Sequence, residues 1–143
     1  VCINRGRAED YPVGHFGIVF NNTNPEMQST AVRVEDNVID GTKYGGIFVI
    51  GHGNSIVKNR LSRLNLARCN TTPGCLWDAG QPDLLRAGIY LGSRAERPAP
   101  SRDNVVTGNT VSGFGMDRFC VVTAPDVRVE KQTIARNSCQ NTQ

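Results

Sequence analysis

Residues 46–62 read GIFVIGHGNSIVKNRLS. Short β-branched pairs alternate here with Gly and Asn, and helix formers are almost absent. Two phrases make up the stretch. The first is Gly followed by apolar-x-apolar, as in Gly46-Ile47-Phe48-Val49. The second is apolar-x-x-Asn-x-apolar, as in Ile56…Asn59…Leu61.

Both phrases recur along the 143 residues. The first returns as Gly17-Ile18-Val19-Phe20 and Gly88-Ile89-Tyr90-Leu91, with Phe119-Cys120-Val121-Val122 as a degenerate copy. The second returns as Val34…Asn37…Ile39 and Val106…Asn109…Val111, with Val129…Gln132…Ile134 as a fourth copy carrying Gln for Asn. Ile47 to Ile56 is 9 positions, Ile56 to Leu61 is 5 and Ile39 to Ile47 is 8, so a coil without insertions has 22 residues. Alternation within each short run places every second side chain on one face. Three such strands per turn describe a solenoid in which each coil covers the next. Gly and Asn supply the tight corners. Asn37, Asn59 and Asn109, stacked at one corner, are expected to form an amide ladder that satisfies buried backbone groups.

These phrases resemble the repeat of parallel β-helices found in pectate-lyase-like folds and in NosD-type carbohydrate-binding and sugar-hydrolysis domains. The resemblance covers residues 17–139 and implies an all-β, right-handed, single-stranded parallel β-helix of four to five coils. Residues 1–16 are expected to be an N-terminal cap or the remnant of a preceding coil, and 140–143 a tail. Departures from the metre mark insertions at 21–31, 63–87 and 93–103. Two of the three flank the strand from Gly88 to Gly92, and loops on a rigid scaffold are where function concentrates.

Composition narrows the functional classes. The net charge of +3 is spread along the chain and gives nucleic-acid binding little support. No apolar run approaches the roughly 18–20 residues of a membrane span. Five cysteines suit an oxidising compartment, and Cys69 and Cys75 lie close enough for a local disulfide; Cys2, Cys120 and Cys139 are left with their pairing open. Zinc is the competing use, but there is no CxxC. Two glycosylation triplets, at Asn21 and Asn70, also suit secretion. No cofactor and no metal site is expected.

The outward row Val19, Phe48, Tyr90 and Val121 is apolar, so it needs a cover, a neighbouring chain or a ligand. Phe48, Tyr90 and Trp77 could offer faces to sugar rings. The family resemblance implies cleavage of acidic polysaccharides by β-elimination, which requires cations against the uronate together with an acid and a base. The catalytic candidates are Arg86, Tyr90, Arg94 and Lys43, and the candidates for substrate binding are Phe48, Tyr90, Trp77, Arg97 and Arg102. Hydrolysis would need two carboxylates instead, and Asp78, Asp83, Glu96 and Asp103 are available. Gly51-His52-Gly53 is similar to the Gly-His-Gly of polygalacturonase-like hydrolases, yet it stands without their other segments and falls where an ordinary corner belongs. An extracellular polysaccharide lyase is therefore the first expectation. The alternative is a non-catalytic module for carbohydrate binding, adhesion or assembly through open solenoid ends or the apolar row.

Overall fold

The computed structural model of the chain describes residues 2–3, 16–21, 32–69, 75, 80–93 and 101–142. Among the described residues thirteen short strands follow one another: β1 (Cys2–Ile3), β2 (Ile18–Asn21), β3 (Arg33–Glu35), β4 (Val38–Asp40), β5 (Ile47–Ile50), β6 (Ser55–Val57), β7 (Arg60–Leu64), β8 (Ile89–Leu91), β9 (Val105–Thr107), β10 (Thr110–Gly113), β11 (Val121–Thr123), β12 (Thr133–Ala135) and β13 (Ser138–Asn141). They form three sheets, ordered β2-β5-β8-β11, β3-β6-β9-β12 and β1-β4-β7-β10-β13. Every pairing is parallel. Each coil visits the first, second and third sheet in turn, which is a parallel β-helix.

The core is a set of aligned columns. Ile47 pairs with Ile89, Ile56 with Val106 and Leu61 with Val111, and all six are fully buried. Burying each such side chain is worth roughly 1.5–3 kcal/mol. The Gly of the first phrase has a steric reason at Gly88. A Cβ there would lie 2.7 Å from the Cys120 carbonyl and 2.7 Å from Val111. The close approach lets the Cys120 carbonyl accept from Ile89 N at 2.8 Å, and the lack of a Cβ at Gly46 likewise lets the Gly88 carbonyl accept from Gly46 N and Ile47 N at 2.9 Å.

The corner between the second and third sheets is two residues long in all four coils: Asp36-Asn37, Lys58-Asn59, Gly108-Asn109 and Arg136-Asn137. The first residue of each is left-handed, with φ of 57°, 56°, 69° and 55°. The second is an Asn, and the Oδ1 of Asn59, Asn109 and Asn137 accepts from the preceding coil. Asn37 N donates to Asn59 Oδ1 at 3.0 Å, Asn59 N to Asn109 Oδ1 at 2.9 Å, and Asn109 N to Asn137 Oδ1 at 3.1 Å. The expected ladder is present and one rung longer. A second ladder runs along the other flank of the same sheet: Val32 N donates to Asn54 Oδ1, Asn54 N to Asn104 Oδ1, and Asn104 N to Gln132 Oε1.

These contacts correct the fourth copy of each phrase. Ile134 pairs with Val106 and Cys139 with Val111, so the second phrase is Ile134…Asn137…Cys139, and Gln132 belongs to the second ladder. Val129–Lys131 is instead a turn of 3₁₀ helix on the approach to it. Likewise Val121 pairs with Ile89, and Val122 lies opposite Tyr90. Cys120 thus takes the Gly position, and Val122 rather than Val121 continues the outward row. The physical reason is extra length before both strands: Val111 to Val121 is 10 positions where Ile39 to Ile47 is 8, and Val121 to Ile134 is 13 where Ile47 to Ile56 is 9.

Two disulfides are present, Cys69–Cys75 and Cys120–Cys139. The second joins the start of the first sheet to the third sheet within the fourth coil, at the position where Ile39, Leu61 and Val111 fill the earlier coils.

Candidate functional site

Tyr90 lies at the centre of the expected site, and it is fully buried. Its ring stacks on Phe48 at 5.6 Å and 10°, and its hydroxyl donates to Gln81 Oε1 at 3.1 Å. Gln81 is itself locked, accepting from Ser93 N at 3.2 Å and donating to Ser93 O at 3.0 Å. The long insertion therefore covers the outer face of β8, and Leu84 and Leu85 beside Gln81 are buried as well. A Tyr in this position serves packing, because a proton carrier must reach its substrate. Phe48 is half-buried against Phe16 at 5.8 Å, while Val19 is 59% exposed. The row is thus interrupted at Tyr90 and is not one continuous open stripe. Trp77, Arg94 and Arg97 lie outside the described residues.

The remaining candidates fall on two different edges of the first sheet. Arg102 lies on the corner that leads from the first sheet to the second, bridged to His52 of the coil above. Its Nη1 pairs with Asp103 Oδ2 at 2.8 Å. Lys43 and Arg86 lie on the corner that leads from the third sheet back to the first, which among the described residues comprises 41–46, 65–69, 80–88 and 114–120. Here the structure brings together residues that the repeat pattern had scattered.

Every cation–ring contact among the described residues is on that third corner. Lys43 Nζ is 5.3 Å from the Tyr44 ring, and the Arg68 guanidinium is 4.8 Å from Phe114. Arg86 and Arg118 approach Phe119 at 3.9 Å and 5.4 Å. Backbone bonds stack these segments directly. Asn65 N donates to Tyr44 O at 2.7 Å, Ala67 N to Lys43 O at 3.0 Å, and Phe114 N to Leu64 O at 3.2 Å. Asn65, only 1% exposed, anchors the turn that carries Arg68. Its Nδ2 donates to Cys69 O at 2.8 Å and Phe114 O at 3.3 Å, and its Oδ1 accepts from Cys69 N at 2.8 Å. The Cys69–Cys75 disulfide leaves from the same turn.

The charges at this corner and on the strand ends that lead into it divide into two groups. Arg63 Nε bonds Asp40 Oδ1 at 2.6 Å, and that bond raises the Arg63 pKa above its ordinary value. Arg86 Nε bonds Asp83 Oδ1 at 2.8 Å. Both are neutralised. Among the described residues Lys43, Arg68 and Arg118 have no carboxylate partner, and each is set against a ring. Beside Arg68 lies a cavity of about 210 Å³ whose lining includes Arg63, Asn65 and Phe114 but neither Lys43 nor Arg118. A cation over an aromatic face gains about 0.5–1 kcal/mol at an exposed site. That modest energy restricts where the charge can point without removing it from solvent. Chemically, the corner is a column of positioned cations that can meet a row of anionic groups.

Arg63, Arg68, Arg118, Phe114 and Phe119 were absent from the sequence-based candidates. The signal for two of the ring pairs was visible, because Lys43-Tyr44 and Arg118-Phe119 are both cation–aromatic dipeptides placed after a third-sheet strand. Arg68 meets Phe114 across 46 positions, and nothing local announces that contact. Among the described residues no cluster of His, Cys, Asp or Glu is arranged to hold a metal ion, and no helix is long and apolar enough to cross a membrane. The chain matches no family model, no curated protein and no solved structure.

Proposed function

We propose that the chain is a secreted β-helix that binds an acidic polysaccharide along its third corner. The observation that supports this reading is the column of ring-backed cations without carboxylate partners: Lys43 on Tyr44, Arg68 on Phe114 and Arg118 on Phe119. Coils in a β-helix repeat at about 4.8 Å, close to the length of one pyranose in an extended glycan. Successive corners can then present cations to successive carboxylates. Arg serves this purpose well, since its planar donors match a carboxylate two bonds at a time. The two disulfides support an oxidising, extracellular setting.

Cleavage by β-elimination is a second reading, and Asp117 is the feature that favours it. It is exposed, adjacent in sequence to Arg118, and has no ion-pair partner among the described residues. A carboxylate beside a guanidinium that offsets the uronate charge has the composition needed to take the C5 proton.

Calorimetric titration with polygalacturonate, alginate and a neutral glucan tests the binding reading. The acidic polymers are expected to bind and the neutral one not, with affinity falling as salt rises. Arg68→Ala should weaken binding about tenfold, or about 1.4 kcal/mol. Equal binding of the neutral glucan, or unchanged affinity in a Lys43→Ala, Arg68→Ala, Arg118→Ala triple variant, would refute it. Ultraviolet absorbance of unsaturated product, present in the parent chain and lost in Asp117→Asn, would establish the lyase.

A further inference from the structure

The second coil enters the third corner through a strained turn. Between Leu61 and Leu64 strand β7 takes three steps where β10, between Val111 and Gly113, takes two, so one residue bulges out. Arg63 lies at that bulge with φ of 50°, and Asn65 and Arg68 follow at 57° and 55°. Among the described residues the other left-handed positions not held by Gly are Asp36, Lys58, Asp103 and Arg136. Each of those directly precedes a ladder residue: Asn37, Asn59, Asn104 or Asn137. Asn65 has its own reason in the bonds that anchor the turn, but Arg63 and Arg68 belong to no ladder. The first coil puts Gly41, with φ of 87°, at the point beside Arg63. A left-handed residue other than Gly costs about 1–2 kcal/mol, so the second coil keeps a strain that Gly would remove. Such strain gathers at functional sites, and bulges re-aim side chains beside them.

What the turn borders is the cavity of about 210 Å³ beside Arg68, whose lining also includes Arg63, Leu66, Phe114 and Thr142. Among the described residues no carboxylate lines it. The Arg68 guanidinium is placed by the Phe114 ring, 4.8 Å away. Arg63 spends its Nε on Asp40, which uses one of the five donors of a guanidinium. Leu66 and Phe114 are half-buried and add apolar surface, and Thr142 adds a hydroxyl. A ligand complementary to this lining carries an anionic group on one edge and an apolar face beside it. The cavity lies below the roughly 300–1,000 Å³ that holds drug-sized ligands, so it admits one ring rather than a chain. A uronate has that form, with a carboxylate on the edge of a pyranose and a face of C–H groups.

We propose that this cavity takes a single uronate residue of the acidic polysaccharide, its carboxylate on Arg68 and Arg63 and its C–H face on Leu66. The inference rests on the polysaccharide reading and goes beyond it. A cavity of one residue sets which sugar meets which cation, where surface cations alone would let the polymer slide.

The test is nuclear magnetic resonance titration of the full chain with galacturonate and mannuronate, with galactose and acetate as controls for ring and charge. At least one monouronate should shift the amides of residues 63–68 and Phe114 saturably, with galactose silent and acetate at least tenfold weaker. Arg68→Gln and Arg63→Gly should each weaken that binding tenfold or more. Gly suits the left-handed position, so Arg63→Gly should leave the amides of Asn104 and Asn109 where they are. Equal binding of acetate would reduce the cavity to an anion patch and overturn the proposal. So would equal binding of galactose, unchanged affinity in both variants, or the absence of any saturable shift. If polygalacturonate or alginate still binds in calorimetry, such a result strikes the cavity alone; if neither binds, it strikes the polysaccharide reading as well.

Discussion

The second and third corners of this β-helix are built on opposite plans. The second corner is a two-residue link in every coil, a left-handed residue followed by an Asn that joins the next coil through its amide. Among the described residues the third corner takes in 41–46, then 65–69 and 80–88, then 114–120, and it is edged with cations and rings. At the second corner the side chain does the work of backbone, so neither length nor residue type can vary freely. At the third corner backbone bonds and a few buried side chains such as Asn65 secure the stack, and Arg68 and Arg118 among the rest are left facing solvent. Fixed geometry on one edge gives the other its latitude, and the latter edge is where a ligand surface can be assembled.

The contrast predicts unequal costs. Asn59 is a fully used rung: its Oδ1 accepts from Asn37 N and Nδ2, and its Nδ2 donates to Val34 O and Asn109 Oδ1. Asn59→Leu strands several buried groups at about 1–3 kcal/mol each. A loss of roughly 4 kcal/mol is expected in urea unfolding; a loss under 1 kcal/mol would show that water replaces the rung. Replacing Cys120 and Cys139 together by Ser removes a cross-link closing a separation of 19 residues and should cost about 3 kcal/mol. The same comparison made under reducing conditions should show no difference between parent and variant.

A smaller effect is expected at Gly108, where φ is +69° and the nearest atom to a new Cβ would be Lys58 Cγ at 3.6 Å. A Cβ at Gly108 meets no steric obstacle, so the cost of Gly108→Val is chiefly conformational, about 1–2 kcal/mol. Asp36, Lys58 and Arg136 already carry that strain at the same point of their own coils. A neutral Gly108→Val would mean the corner is not left-handed in solution.

Glu130 gives the smallest response. Its carboxyl is held below the usual carboxylate range, first by its own backbone N–H and then by Arg128. A depressed carboxylate contributes stability above its unfolded pKa and loses it as pH falls through the folded value. Because Glu130 is fully exposed, Glu130→Gln should leave the unfolding midpoint at neutral pH nearly unchanged and only flatten its decline in acid.

Much of the fold was legible because it is periodic. The Ile47, Ile56 and Leu61 columns follow from spacing alone, and the three Asn rungs follow from the same count. The repeat lost register at its fourth copy, where Cys139 stands in an apolar column and Cys120 in a Gly column, so the pattern gave no warning that the two would bond. Asn54, Asn104 and Gln132 also fall on a column, but a rung that changes residue type is faint in a single sequence. The site was less legible for a different reason. Arg68 over Phe114 and Tyr90 beneath Gln81 join positions whose separations the insertions set, and no period passes through them.

The lengths of chain between paired strands also bear on the order in which coils close. Ile39 and Leu61 are 22 residues apart, Leu61 and Val111 are 50, and Val111 and Cys139 are 28. Closing the 50-residue loop costs about 0.7 kcal/mol more than closing the 22-residue one. Pairing of the first two coils is therefore the least costly nucleus, and folding grows outward from the stretch GIFVIGHGNSIVKNRLS. Docking of the third coil waits on the diffusion of the longest loop, the one that carries Arg68, Gln81 and the Cys69–Cys75 bridge. The segment that covers Tyr90 is thus also the one that sets the pace of assembly.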